Sequence, residues 1–351
     1  MNPDFWKNRS VFLTGHTGFK GGWMTLALSQ MGAKVSGYSL APKTKPNFFS
    51  ILKLKKYLAK STIGNILDLK LLKKSINEAK PSIVIHMAAQ PLVHQSYKTP
   101  IETIMTNVIG TANIFEAAKD TNTIKAIINV TTDKCYENNE KITSYNENDR
   151  LGGHDPYSGS KACSELITAT YRKSFLSKID IYLASARAGN VIGGGDWSND
   201  RLLPDFFRSL EAGKPMYVRS PNAIRPWQHV LEPISGYMKL GEKLVTNGKD
   251  YANAWNFGPN DEDAKTVGWV IDHLCAKIPG THWIADEEKH PHESTLLKLD
   301  STKAKKYLDW NPKWDAKLSI HKTIDWYNAW KKGKEMSSIS LSQIDEYNSI
   351  K

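Results

Sequence analysis

Cysteine is scarce: Cys135, Cys163 and Cys275 are the three thiols in 351 residues. Odd in number and far apart, they exclude a disulfide framework and a CxxC metal or redox motif, and they are expected to be reduced. Long hydrophobic runs are missing too. No stretch approaches the roughly 20 apolar residues of a membrane span, and 1–9 lacks the basic-then-apolar layout of a signal peptide. A cytoplasmic protein without a membrane partner is expected. Acidic residues, 36 against 47 lysines and arginines, leave a formal charge of +11. The lysines fall in short stretches of helical pattern, 52–60 and 69–80, and no basic block is interleaved with aromatics, so no nucleic-acid partner is expected. The same positive balance raises the local concentration of small anionic substrates. Internal repeats and low-complexity segments are absent.

Hydrophobic residues make up 40% of the chain, and the mean hydropathy is -0.46, as in an ordinary globular protein. The length allows one large α/β unit with a lobe built onto it. Apolar, β-rich runs at 10–14, 34–38, 82–87, 126–131 and 180–186 alternate with helical patterns at 22–31, 69–79, 100–119 and 157–175. Strand and helix alternating at this spacing predict parallel strands joined by crossovers, a doubly wound Rossmann sheet. After Arg187 the texture turns to Gly, Asp, Asn and Pro, which predicts the loops of a smaller substrate lobe. The expected division is 1–188 with 231–260 for the dinucleotide-binding domain and 189–230 with 261–335 for the lobe. Helical stretches at 265–277 and 301–308 are assigned to the lobe, with a closing helix at 318–331. A tail, 336–351, shows no clear apolar face.

The first strand runs into Gly15-His16-Thr17-Gly18-Phe19-Lys20-Gly21, which opens a helix. Glycines at 15, 18 and 21 permit a tight turn, close approach of backbone to a pyrophosphate, and close helix packing, with N–H groups at the helix start facing the phosphates. In the first βα turn this pattern predicts dinucleotide binding. After the second strand the position that usually carries an acid for the ribose hydroxyls holds Ser39, which cannot repel a 2′-phosphate, so charge here leaves NAD and NADP both open. Asp68 reads equally as a contact to the adenine amino group or as an N-cap for the following helix. Tyr157 and Lys161, four residues apart, share one helix face. A lysine charge and a nicotinamide cation beside the phenol would lower its pKa and make Tyr157 a base near neutral pH. The strand around 127–130 leads into Thr131-Thr132-Asp133-Lys134, a hydroxyl, a carboxyl and an amine at a strand's C-terminal end, where open α/β sheets bind ligands.

Together with His86-Met87-Ala88-Ala89-Gln90, Asn107-Val108-Ile109-Gly110-Thr111 and Arg187-Ala188-Gly189-Asn190-Val191, these motifs make the chain resemble the extended short-chain dehydrogenase/reductase family, over nearly its whole length. The resemblance implies NAD as cofactor, held by Gly15, Thr17, Gly18, Phe19, Lys20, Gly21, Ser39, Asp68, Ala88, Gln90, Asn107, Tyr157 and Lys161. Within the family, Thr132-Asp133-Lys134 resembles the catalytic triad of sugar-nucleotide dehydratases. Members acting on dTDP-glucose usually carry Thr-Asp-Glu there, whereas a branch acting on CDP-glucose carries Asp-Lys. Gly193-Gly194-Gly195-Asp196-Trp197, Arg201-Leu202-Leu203-Pro204-Asp205, Arg225-Pro226-Trp227-Gln228-His229-Val230 and Pro291-His292-Glu293 also resemble that branch.

The resemblance further implies that His94, Asn190, Arg201, Arg225 and His292 line the nucleotide sugar. It implies that Thr132, Asp133, Lys134, Tyr157 and Lys161 are catalytic, and that a homo-oligomer, dimer or tetramer, forms. No metal is implied. The implied reaction oxidises C4, eliminates water across C5 and C6 with Asp133 as acid, and returns the hydride to C6, feeding deoxyhexose synthesis for surface polysaccharide. Two alternatives share the fold. A sugar-nucleotide 4-epimerase needs no acid beside Thr132, and a non-catalytic nucleotide sensor would be expected to have lost Tyr157 or Lys161.

Overall fold

A computed structural model of the chain describes residues 1–139, 143–286 and 296–350. Its strands β1 (Ser10–Thr14), β2 (Lys34–Ser39), β3 (Lys60–Ile63), β4 (Ile83–His86), β5 (Ala126–Val130), β6 (Tyr182–Ala188) and β7 (Ala254–Phe257) form one seven-stranded sheet in the order β7-β6-β5-β4-β1-β2-β3. Every pairing in it is parallel. The predicted α/β class and doubly wound sheet are both observed. Strands β1, β4 and β5 are buried on both faces, which is why they read as unbroken apolar runs rather than as alternating ones.

The main helices are α1 (Phe19–Gln30), α2 (Leu69–Ala79), α3 (Gly110–Lys119), α4 (Pro156–Ser174), α5 (Leu202–Ala212), α6 (Leu231–Asn247), α7 (Val267–Lys277), α8 (Thr302–Leu308), α9 (Ala316–Lys331) and α10 (Met336–Ser349). One face of the sheet packs on α2 and α3 through Phe12, Leu72, Ile76, Ile114 and Phe115. The other packs on α1 and α6 through Val11, Leu26, Ile234 and Met238. A separate core of Leu203, Phe206, Val270, Leu274 and Ile320 holds the lobe together. The sheet order reverses between β1 and β4, and there the strand ends part to leave a crevice. A Thr14–His86 contact of 2.7 Å joins these two strands at the reversal.

Four local expectations are corrected. The stretch 52–60 is not a helix: a short 3-10 turn (Leu54–Tyr57) leads into the edge strand β3, whose polar Lys60-Ser61-Thr62 hides the strand pattern. The helix expected over 100–119 runs without a break, but it is π-helical rather than α-helical at Met105–Ile109, between Pro100–Ile104 and α3. Helix α8 belongs to the sheet's core rather than to the lobe, because Ala304 and Leu308 are buried there with Trp310 and Trp314. The expected tail is instead the helix α10, which buries Met336, Ser340, Ile344 and Tyr347. Its buried stripe mixes apolar and hydroxyl side chains, so no apolar face is visible in the sequence.

Polar contacts latch α10 in place. The Tyr347 hydroxyl donates to Glu232 Oε2 at 2.7 Å and lies 2.9 Å from Ser235 Oγ. Glu232 Oε1 accepts from the backbone N–H of Trp314 at 2.7 Å and of Lys313 at 3.1 Å. Burial pushes the Glu232 carboxyl up to about 7 against the pull of these donors. Tyr347→Phe removes one donor from a buried acceptor, and the unfolding free energy should fall by about 1–3 kcal/mol, measured by urea denaturation.

Candidate active site

The crevice begins at Gly15. Its φ of +79° is the left-handed conformation that favours glycine, and a Cβ there would lie 2.9 Å from the Ala88 nitrogen. At Gly21 a Cβ would come within 2.1 Å of the Gly15 oxygen, so the start of α1 packs directly on the loop. Gly18 differs. A Cβ there would meet only the Gly15 oxygen, at 3.4 Å, so packing within the protein does not require a glycine. The N-terminus of α1 also has no side-chain cap. Open space above Gly18 and uncapped N–H groups are what a pyrophosphate needs, and the residues present fit a dinucleotide.

Several residues expected to touch a cofactor already have partners within the protein. Thr17 Oγ1 donates to Leu40 O and lies 2.8 Å from Ser39 Oγ, so Ser39 donates to Thr17 and keeps only acceptor capacity toward a ribose hydroxyl. The Asn107 amide donates to Gln90 O at 3.0 Å and Ser160 Oγ at 2.9 Å, and its oxygen accepts from Gln90 N. Gln90 in turn donates to Thr103 Oγ1 and Leu92 O. Ala88 N and Met87 N both donate to Thr14 Oγ1. With two N–H groups on its oxygen, Thr14 donates its own proton to His86 Nδ1, leaving the His86 proton on Nε2, which faces Thr111 Oγ1 at 3.3 Å. Burial holds His86 neutral, with its pKa lowered to about 3. Asp68 caps α2, accepting from Leu71 N at 2.9 Å.

Tyr157, Lys161 and Asp133 converge at the ends of β5 and α4, all buried. Asp155 caps α4 by accepting from Ser158 N at 2.9 Å, and Tyr157 lies in the first turn of that helix. The Lys161 ammonium faces Val130 O at 3.5 Å. Thr132 Oγ1 donates to Asp133 Oδ1 at 2.9 Å, and Lys134 N reaches back to Thr132 Oγ1 at 3.3 Å. The other Asp133 oxygen, Oδ2, is buried with no hydrogen-bond partner. Gly189 is small for its sake: a Cβ there would lie 2.7 Å from that oxygen.

The electrostatics correct one expectation. The Tyr157 phenol is not lowered by the chain's own groups. Burial pushes it up to about 12, with a Thr132 hydrogen bond and the Arg201 charge pulling the other way. Lys161 is lowered to about 8 because burial penalises its charge, opposed by Glu165. Lys20 falls to about 7 for the same reason, with Arg201 and Lys161 adding repulsion. Asp133 is raised by burial, with Lys134 the largest opposing influence, so the carboxyl is biased toward its proton-bearing form.

Of the residues expected around a sugar nucleotide, Arg201 and Arg225 act electrostatically on Tyr157 and Asp133, respectively. Arg201 also pairs with Asp196 at 2.9 Å. Asn190 flanks the site by accepting from Gln228 N at 3.3 Å. His94 lies against Arg219, 2.6 Å from Nη1 to Nε2. His292 lies outside the described residues. Sequence reasoning missed Glu165 as a site residue. It is buried with Arg187, Nη2 to Oε2 at 2.7 Å, and the signal was a charge four residues after Lys161 on the buried face of α4.

The chain matches the family described as GDP-mannose 4,6 dehydratase over residues 12–323. It is 48% identical over 355 residues to a CDP-glucose 4,6-dehydratase of Salmonella typhimurium, covering 99% of both chains. In fold it resembles the UDP-glucose 4-epimerase of Thermotoga maritima, with a TM-score of 0.80 and 20% identity over 92% of this chain and 99% of that one. It also resembles the dTDP-glucose 4,6-dehydratase of Bacillus anthracis in complex with NAD, with a TM-score of 0.76 and 21% identity over 94% of this chain and 99% of that one. At such identities the two structures bear on the fold alone, and it is common to an epimerase and a dehydratase.

The two buried lysines generate a test. With folded-state values of about 8 for Lys161 and about 7 for Lys20, below the ordinary 10.5, the folded chain releases these protons before the unfolded chain does. Stability therefore rises with pH from about 7 toward 10.5 on account of these two groups. Carbon-13 NMR titration of labelled lysine, assigned with Lys161→Met and Lys20→Met, should find two lysines titrating well below the rest. Every lysine titrating together would overturn this account.

Proposed function

Because the chain belongs to the GDP-mannose 4,6-dehydratase family of extended short-chain dehydrogenase/reductases, we propose that it converts CDP-D-glucose to CDP-4-dehydro-6-deoxy-D-glucose. It is a hydro-lyase of the CDP-glucose 4,6-dehydratase type. The observation that carries elimination, over epimerisation, is Asp133: a buried carboxyl beside Thr132, raised in pKa, with one oxygen left without a partner. Epimerisation at C4 has no use for such an acid. Identity over the full length to the Salmonella enzyme supports the cytidine nucleotide.

NAD fits the Gly15–Gly21 cradle, and when bound it supplies a hydride acceptor and donor whose positive ring opposes the upward pull of burial on Tyr157. Tyr157 takes the C4 hydroxyl proton as the C4 hydrogen leaves as hydride, and the Lys161 ammonium steadies the phenolate. The 4-ketone acidifies the C5–H. Asp133 donates a proton to the departing C6 hydroxyl, a poor leaving group unaided, and the Thr132 hydroxyl orients that carboxyl through Oδ1. Lys134 opposes the upward shift of Asp133, keeping it able to lose and regain its proton. With NAD in that cradle, return of the hydride to C6 and of a solvent-exchanged proton to C5 would complete a cycle with no net redox. Arg201 and Arg225 offer charge to the substrate's diphosphate.

The labelling pattern decides between this reaction and its rivals. With C4-deuterated CDP-glucose in ordinary water, deuterium should appear at C6 of the product by NMR and mass spectrometry. Unlabelled substrate in deuterium oxide should give a product labelled at C5. Loss of the C4 label to solvent or to free cofactor marks a simple dehydrogenase, and its return to C4 with inversion marks an epimerase.

The protein self-associates as a homodimer in the same reading. Ile101, Ile104, Met105 and Ile109 are exposed, Ile101 by 71%, beside Leu166 on the adjoining α4, exposed by 56%. An apolar patch of this kind marks an interaction surface. Sedimentation should give about twice the chain mass of 39.4 kDa, and an Ile101→Lys, Leu166→Lys variant should be monomeric. A monomeric unaltered protein would overturn the dimer. The three unpaired thiols fit a reducing compartment such as the cytoplasm.

A further inference from the structure

The acid at Asp133 is carried on a short turn, Asp133–Cys135, between the end of β5 and Tyr136. What fixes the turn lies on α4. Tyr157, Lys161 and Glu165 stand at successive four-residue steps along that helix, one above the next on its buried face. The hydrogen bonds of Glu165 run to β6 and to the residue after β5 rather than to Tyr157 or Lys161. Its Oε1 accepts from the Thr131 hydroxyl at 2.5 Å, and its Oε2 accepts from Ser185 Oγ and Arg187 Nη2, both at 2.7 Å. Arg187 then donates through Nη1 to the Tyr136 hydroxyl at 2.8 Å, which donates to Asn256 Oδ1 at 2.7 Å. Thr131 precedes the Thr132–Cys135 segment and Tyr136 follows it, so one buried carboxylate reaches both flanks of the acid-bearing turn.

We propose that Glu165 is a positioning residue for elimination, holding both flanks of the Thr132–Cys135 turn, through Thr131 on one side and through Arg187 and Tyr136 on the other. This inference rests on the dehydratase reading. The helix that carries the redox pair Tyr157 and Lys161 thereby also sets where the Asp133 carboxyl stands. C4 oxidation draws chiefly on the groups of α4, with the Thr132 hydrogen bond to Tyr157 as the turn's one contribution, whereas proton donation at C6 needs the whole turn in register with them. Loosening the turn should therefore separate the two half-reactions. A displacement of about 1 Å at an acid costs on the order of 10²-fold in rate.

The discriminating variant is Thr131→Val with Tyr136→Phe, which cuts both links to the turn and leaves the Glu165–Arg187 pair whole. Mixed with NAD and CDP-glucose, it should still produce reduced nicotinamide, seen by near-ultraviolet absorbance in stopped flow, at a rate lowered far less than elimination, the loss being the share owed to the Thr132 hydrogen bond on Tyr157. Formation of the 4-keto-6-deoxy product should fall by on the order of 10- to 100-fold, with KM changed by about twofold or less. Glu165→Gln should lower Tm, because Arg187 is left buried beside an uncharged partner, and should slow oxidation as well as elimination, because the charge that opposes the lowering of Lys161 is lost with it. Unchanged product formation in the double variant overturns the proposal. So does an equal fall of oxidation and elimination in it. Failure of the unaltered protein to make any 4-keto-6-deoxy sugar from CDP-glucose would be a different result, and would sink the functional reading itself.

Discussion

The active end of this molecule depends on one buried ion pair. Glu165 and Arg187 have side chains 3% and 4% exposed and meet at 2.7 Å. Removing two such charges from water costs several kcal/mol each, and their attraction offsets this only where further hydrogen bonds complete them. Here Thr131, Ser185 and Tyr136 do so. A pair of this kind is weak evidence for stability but a strong constraint on geometry, because each misplaced partner leaves a buried charge uncompensated. It ties α4 to β6, and through Tyr136 and Asn256 it reaches β7. Asn256 extends the constraint by donating from its side-chain amide to Tyr145 O at 2.9 Å and from its backbone N–H to Glu147 Oε1 at 2.8 Å.

Against this fixed frame the crevice is electrically unsettled. Lys20, Lys161, Arg201 and Asp133 act on one another in a water-poor space, and burial has moved both lysines and the aspartate toward their neutral forms. A site that leaves cationic side chains partly discharged is suited to anionic ligands, since a phosphate brought close raises a lysine pKa. The surface excess of positive charge, +11 over the chain, acts in the same sense at longer range.

How much was legible follows from where the determining contacts lie in the chain. The cradle could be read because much of its constraint is local: a Cβ at Gly21 would clash with Gly15 and His16, and a strand-turn-helix pattern surrounds them. Tyr157 and Lys161 could be read because helix geometry alone puts them on one face. The shift of the Tyr157 phenol could not, since its direction is set by burial, which spacing does not report. Helix α10 was hidden because it docks through Ser340 and the Tyr347 hydroxyl as much as through Ile344. Strand β3 was hidden because an edge strand need not be apolar. Glu165 left a trace, a lone acid on the buried stripe of a helix, yet its partners Thr131 and Arg187 lie 34 and 22 residues away.

The division of labour along α4 explains why a redox fold can host an elimination. In the proposed reaction, oxidation at C4 uses a phenol and an ammonium one turn apart, a spacing any regular helix supplies. The acid for C6 must come from elsewhere, and the C-terminal end of β5 offers the turn at Asp133, made roomy by Gly189 and capped by Thr132. Two rigid elements meeting at a crevice do not by themselves align to the few tenths of an ångström that proton transfer requires. In the proposal made above, a buried carboxylate one turn beyond Lys161, bonded to the residue before the acid's turn and coupled through Arg187 to the residue after it, supplies that alignment. On that proposal, the chemistry that separates a dehydratase from an epimerase on this fold therefore depends on a side chain whose hydrogen bonds run to Thr131, Ser185 and Arg187 rather than to Tyr157, Lys161 or Asp133.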